Sequence, residues 1–128
     1  PVRDIDPAGE PVEEILKYAQ HKLKMSRLYP RESRLYANEI IQGAPRIKSV
    51  LTGELRDVVT TLAALIKSWS EAGLIRVIDP YHLIFSIWAM TQHYADFDVQ
   101  VQAVLGEGDH FDDAEQYLED MLRRMLTV

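Results

Sequence analysis

Residues 79–97, which read DPYHLIFSIWAMTQHYADF, decide the fold predicted for this chain. Asp79 is a favourable helix N-cap and Pro80 suits the first helical position, so the stretch predicts a helix along its whole length. Trp88 and Gln92 are four residues apart and therefore lie on one face of that helix. A buried amide is costly unless it has a hydrogen-bond partner. This face therefore predicts a polar partner for Gln92, either a neighbouring side chain or a ligand.

The same signals predict four more helices. Pro11 and Pro30 open the first two, and Gly43 closes the second. The third is the longest, over residues 46–72, with apolar residues at steps of three and four. Gly53 within it predicts a kink or a slightly later start.

The last helix begins near Asp112 and is amphipathic, whereas residues 98–109 read as a looser piece. Residues 1–10, which contain prolines and a glycine, read as a leader or linker. We find no strand with a convincing alternation. The prediction is an all-α, five-helix domain over residues 11–128.

The composition argues against several classes of function. The chain has 128 residues, a net charge of -6 and no cysteine. An acidic domain repels a phosphate backbone, which makes these residues poor nucleic-acid binders. The missing cysteines remove disulfides and thiolate chemistry and favour a reducing compartment. No signal peptide or membrane-spanning run is visible, so we expect a soluble, cytoplasmic protein. The start at Pro1, without a methionine, suggests a fragment.

Catalytic motifs are missing. The sequence contains no P-loop, GxGxxG, GxSxG or HExxH pattern. His93 and Asp96 lie three residues apart, but an exposed pair on a helix explains them better than a metal site does. The acidic residues Asp109, Asp112 and Asp113 lack the ligand spacing of a calcium loop. We therefore expect a binding domain with no metal and no cofactor, and not an enzyme.

Three segments carry a resemblance to a known family. They are residues 33–45 (SRLYANEIIQGAP), residues 51–55 (LTGEL) and residues 78–97, which end in the stretch quoted above. They strongly resemble the C-terminal domain of TetR-type transcriptional regulators, and most of all the pyrimidine-utilisation regulators of that family. The similarity covers about residues 11–98, and the last helix is similar only in its pattern.

That resemblance implies a ligand-sensing and dimerisation domain with a four-helix dimer interface. In such regulators, a small molecule in the C-terminal core changes the spacing of two N-terminal helix-turn-helix modules on operator DNA. No such module precedes residue 11 in this sequence. DNA binding is therefore implied for the parent protein only.

Two interpretations of Trp88 and Gln92 remain open. Trp88 can be a core residue while Gln92 bonds a neighbouring helix, within the chain or at the dimer interface, in a purely structural dimerisation module without a ligand. Alternatively, the indole is the wall of a pocket and the amide pairs with a planar heterocycle such as uracil or thymine. With the resemblance added, we favour the pocket. The ligand-binding candidates are Trp88, Gln92, Thr91, Phe85 and Asn38.

The fourth and fifth helices also predict a two-fold homodimer. Each has more apolar surface than one small core can cover, and a seam between two chains would bury it. The predicted interface residues are Leu83, Ile87, Met90, Tyr94, Tyr117, Leu118, Met121, Leu122 and Met125.

Overall fold

The computed structural model describes residues 5–128, and in that range every regular element is a helix. There are six: α1 (Pro11–Leu28), α2 (Pro30–Ile41), α3, α4 (Pro80–Asp96), α5 (Asp98–Leu105) and α6 (Phe111–Leu126). Helix α3 consists of Lys48–Val50, a π-helical turn at Leu51–Leu55, and Arg56–Glu71. The all-α prediction is confirmed.

Helix boundaries follow the local signals. The Asp79 side chain accepts a hydrogen bond from the His82 amide at 2.9 Å, which caps α4 as predicted. Gly43 and Gly73 follow α2 and α3 with positive φ angles of 95° and 74°, which a residue with a side chain adopts at a cost. Around Gly53, the predicted irregularity takes the form of the π-helical turn.

One prediction about the helices is wrong. Residues 98–105 form α5, although the sequence suggested a looser piece. Phe97 leaves helical geometry with φ -117° and ψ 32°, which separates α5 from α4. Gly106 then ends α5 with a φ of 91°. The chain therefore has six helices in its described part instead of five.

Helix α1 is central to the fold. It packs against α4 and α6 and also contacts α2, while α4 in turn packs against α2 and α3. Arg27 near the end of α1 pairs with Asp109 and Asp112 near the start of α6. Arg123 near the end of α6 pairs with Glu13 at the start of α1. These pairs show that α1 and α6 run antiparallel.

The segment before α1 is attached to it. Ile5 packs against the core, and the Asp6 amide donates to a carboxylate oxygen of Glu14 at 2.8 Å. The second oxygen of Glu14 accepts from Lys17 at 3.0 Å. These two hydrogen bonds lower the pKa of Glu14. None of the helices in residues 5–128 is long and apolar enough to cross a membrane.

Candidate ligand-binding cavity

Trp88 is fixed by a hydrogen bond to α1. Its indole Nε1 donates to the hydroxyl of Tyr18 at 2.7 Å. Tyr18 is buried in the core, and this burial raises the pKa of its hydroxyl, against the opposite effect of the bond from Trp88. The Phe85 ring lies beside the indole, with the centroids 5.7 Å apart. The plane of the indole is therefore set by its neighbours before any ligand arrives.

Trp88 and Gln92 line the same cavity, whose volume is about 480 Å³. This volume falls within the range of small-molecule sites in proteins. Its walls come from α1, the residue that joins α1 to α2, α2 itself, the π-helical turn and α4. The lining residues are Lys22, Met25, Ser26, Tyr29, Glu32, Ser33, Tyr36, Leu55, Trp88 and Gln92.

The amide of Gln92 is the available polar group on the α4 wall. It makes no hydrogen bond with any other side chain or backbone group in residues 5–128, although the residue is half-buried. Within one chain, Gln92 therefore has no partner on a neighbouring helix among the described residues, and a partner across a dimer interface stays an alternative. A side-chain amide whose carbonyl oxygen and NH₂ group both lack a protein partner can pair with the edge of a heterocycle that carries one donor and one acceptor.

Two polar groups of the cavity have altered pKa values. Burial lowers the pKa of Lys22, because a low-dielectric surrounding disfavours the charged ammonium. Burial also raises the pKa of Tyr36, which keeps that phenol neutral and able to donate. Lys22 and Tyr36 thus add two polar groups to a cavity that also contains the carboxylate of Glu32.

The other predicted ligand-binding residues lie elsewhere. Thr91 is fully buried, and its hydroxyl donates to the Ile87 carbonyl of its own helix at 2.8 Å, so it has no surface to offer a ligand. Phe85 lines a neighbouring cavity of about 380 Å³ together with Trp88, and Gln92 does not line that cavity. Asn38 is exposed on α2 and does not line either cavity. These three assignments to the Trp88–Gln92 cavity are corrected.

Several residues of the cavity were missed in the sequence. Lys22 and Ser26 follow Tyr18 at steps of four, which puts them on one face of α1, and Tyr29 comes three residues later, directly after the helix ends. The spacing was visible in the sequence, but only the packing of α1 on α4 shows that this face meets Trp88.

The predicted dimer-interface residues divide into two groups. Leu83, Ile87, Leu118 and Leu122 are at most 3% exposed and belong to the core of the single chain. They therefore have no area left for a partner, and their assignment to the interface is corrected. The other five side chains remain accessible to a partner. Tyr117 is 60% exposed, and the half-buried residues are Met90, Tyr94, Met121 and Met125.

No group of three or more histidines and acidic residues that is suited to a metal occurs in residues 5–128.

Comparison with known proteins decides the family. A family model described as "YcdC-like protein, C-terminal region" and labelled TetR_C_3 matches residues 1–128. The chain is a TetR-family C-terminal domain. It is 49% identical over 96 residues to the HTH-type transcriptional regulators RutR of Escherichia coli strain K12 and of Shigella flexneri. The match covers 75% of this chain and 45% of each regulator, so the chain spans about half the length of these relatives.

Proposed function

We propose that this domain senses a small planar heterocycle, most specifically a pyrimidine base, in the cavity between α1, α2 and α4. One observation carries the proposal: a fixed indole and an amide without a protein partner in residues 5–128 line the same cavity. A flat ring gains contact area by stacking on Trp88. The Gln92 amide then pairs with its polar edge, as uracil and thymine require. The TetR-family membership and the likeness to RutR support a sensory role for the domain.

In the whole protein, we propose that ligand binding is coupled to transcription regulation. A helix-turn-helix module outside these residues would bind the operator, because the domain has a net charge of -6 and is poorly suited to a phosphate backbone. The relatives are described as HTH-type transcriptional regulators, which supports the assignment of DNA binding to a separate module and of ligand binding to this domain.

We further propose that the domain forms a homodimer through α4 and α6. Met90, Tyr94 and Tyr117 surround an apolar groove of about 270 Å³ between these helices, and Met121 and Met125 continue along α6. A second copy related by a two-fold axis would cover this surface. Methionines adapt to such seams because their side chains are flexible.

A thermal-shift titration with uracil and thymine tests the sensory role. A ligand that binds only the folded state adds about 2.7 kcal/mol of stability at one hundred times its dissociation constant. We expect the melting temperature to rise with the concentration of either base. A melting temperature that does not respond to any pyrimidine would instead favour the structural dimerisation module without a ligand.

A further inference from the structure

A second cavity lies between α3 and α4, and we call it the α3–α4 cavity. Its volume is about 380 Å³, which falls within the range of small-molecule sites in proteins. It shares Leu55 and Trp88 with the cavity proposed for the pyrimidine base, but Gln92 does not line it. The proposed function therefore does not use the rest of this cavity.

The α4 wall of the α3–α4 cavity is aromatic. Tyr81, Phe85 and Trp88 follow one another at steps of four and three, so they share one face of the helix. The Phe85 ring packs against the Trp88 indole, with the centroids 5.7 Å apart, and against the edge of the His82 ring at 5.9 Å. Tyr81 and Phe85 are nevertheless 41% and 47% exposed. Contiguous aromatic surface that remains in contact with water is typical of a binding site.

The α3 wall adds an apolar surface and two polar groups. Leu51 and Leu55 come from the π-helical turn, an element that is frequent at functional sites, and Val59 lies one turn further along. Arg56 and Thr60 also line the cavity and are four residues apart, so the guanidinium and the hydroxyl lie on one face of α3.

Arg56 has no acidic counterpart in this cavity. No aspartate or glutamate is among the lining residues, and the acidic residues nearest to Arg56 in the sequence, Glu54 and Asp57, do not line it either. Arg56 forms no ion pair with any residue in residues 5–128. Although the chain has a net charge of -6, this cavity therefore presents one positive charge beside an aromatic wall.

We propose that the α3–α4 cavity is a second binding site, and that its ligand is a small aromatic carboxylate. The guanidinium of Arg56 presents two parallel N–H groups, which match the two oxygens of a carboxylate. The hydroxyl of Thr60 can donate a further hydrogen bond to the same group. The ring of the ligand then packs on Phe85 and Trp88, where aromatic pairs gain more than area burial alone provides.

The two walls predict which analogues the cavity rejects. An uncharged planar amide keeps the aromatic contacts but loses the charge interaction with Arg56. An aliphatic acid keeps that interaction but lacks the aromatic contacts. Salt should weaken the binding of the carboxylate and leave the binding of the amide unchanged, because mobile ions screen a charge that is accessible to water.

Calorimetric titration of the 128-residue chain tests the inference with three probes: 2-naphthoate, 2-naphthamide and cyclohexanecarboxylate. The variants are Arg56→Gln and Phe85→Leu, and both residues are exposed, so both variants should fold. Arg31→Gln is the matched control, because Arg31 is exposed on α2 and does not line this cavity. We expect the parent and Arg31→Gln to bind 2-naphthoate more tightly than either analogue.

Arg56→Gln should weaken 2-naphthoate binding roughly fivefold, the change expected for an ion pair at a water-accessible site, and should leave 2-naphthamide binding unchanged. Phe85→Leu should weaken the binding of both naphthalene probes roughly three- to tenfold, because it removes the aromatic contact. It should leave cyclohexanecarboxylate binding nearly unchanged.

Gln92→Leu separates the two cavities, since Gln92 lines only the cavity of the proposed pyrimidine site. It should leave 2-naphthoate affinity as it is in the parent. A loss of 2-naphthoate binding in Gln92→Leu but not in Arg56→Gln would place the acid in the other cavity and overturn the inference. A parent that does not bind 2-naphthoate, or binds 2-naphthamide equally well, would overturn it too. A fall in the mass of Arg56→Gln in light scattering would show that a second copy covers this cavity, which would also contradict the inference. None of these results bears on uracil binding, so the proposed function stands or falls separately.

Discussion

The hydrogen bond between Trp88 and Tyr18 links the candidate site to the core. Tyr18 is buried, and its hydroxyl is the acceptor for the indole N–H at 2.7 Å. An N–H group that loses its acceptor inside a protein costs about 1–3 kcal/mol. The orientation of the indole wall and part of the stability of the domain therefore depend on one phenol oxygen.

Tyr18→Phe tests this contact, because it removes the oxygen and keeps the ring. We expect the free energy of unfolding to fall by about 1–3 kcal/mol, measured by chemical denaturation. Tyr81→Phe is the control, since Tyr81 is 41% exposed and should change stability by no more than about 0.5 kcal/mol. Equal stability of Tyr18→Phe and the parent would show that the hydrogen bond does not hold Trp88.

At this scale, the sequence predicted the pair Trp88 and Gln92 but not their surroundings. A polar residue on an apolar stripe is visible in sequence, and helical spacing places it beside the indole. The sequence does not show whether a hydroxyl group donates its hydrogen bond to a carbonyl of its own helix, as that of Thr91 does. For this reason Thr91 was predicted to bind a ligand, and Ser26, which lines the cavity, was missed. Lys22 was missed because a lysine on a helix is usually solvated, and only packing shows that it is half-buried.

The helices themselves were predictable where prolines, glycines and an N-cap mark their ends. The ends of α1, α2 and α3 and the start of α4 follow from such residues. Helix α5 was missed because it is short and because the break at Phe97 depends on its backbone conformation, with no glycine or proline there to signal it. The sequence also did not show which helix faces are buried within one chain. Ile87 on α4 and Leu122 on α6 were predicted at the dimer interface, but both are buried in the core, where α4 and α6 pack against α1.

The outer faces of α4 and α6 carry the prediction of a homodimer. Light scattering at tens of micromolar should give a mass near twice the 14.7 kDa of one chain. Tyr117→Glu introduces a charge at a residue that is 60% exposed in the single chain and should shift the protein to monomers. Leu74→Glu is the control: it lies outside both helices, is 53% exposed and should leave the dimer intact. A parent that stays monomeric would contradict the proposed seam.

For the whole molecule, the cavity depends on elements that are distant in the sequence. Residues 22–36, the π-helical turn at Leu51–Leu55 and residues 88–92 meet there. Sequence patterns predicted the all-α class, and the quoted segments indicated the family. These patterns could not predict the cavity. Helical periodicity shows which residues share a helix face, but it does not show which faces of different helices pack together.

The most direct test of the ligand pocket is calorimetric titration of the parent and Gln92→Leu with uracil, alongside melting curves. The Gln92 amide has no protein partner in residues 5–128, so leucine of similar size should leave stability equal or higher. Uracil affinity should fall roughly ten- to hundredfold, because a polar edge left unpaired on burial costs about 1–3 kcal/mol. An unchanged uracil affinity in Gln92→Leu, or no uracil binding by the parent, would contradict the pyrimidine pocket.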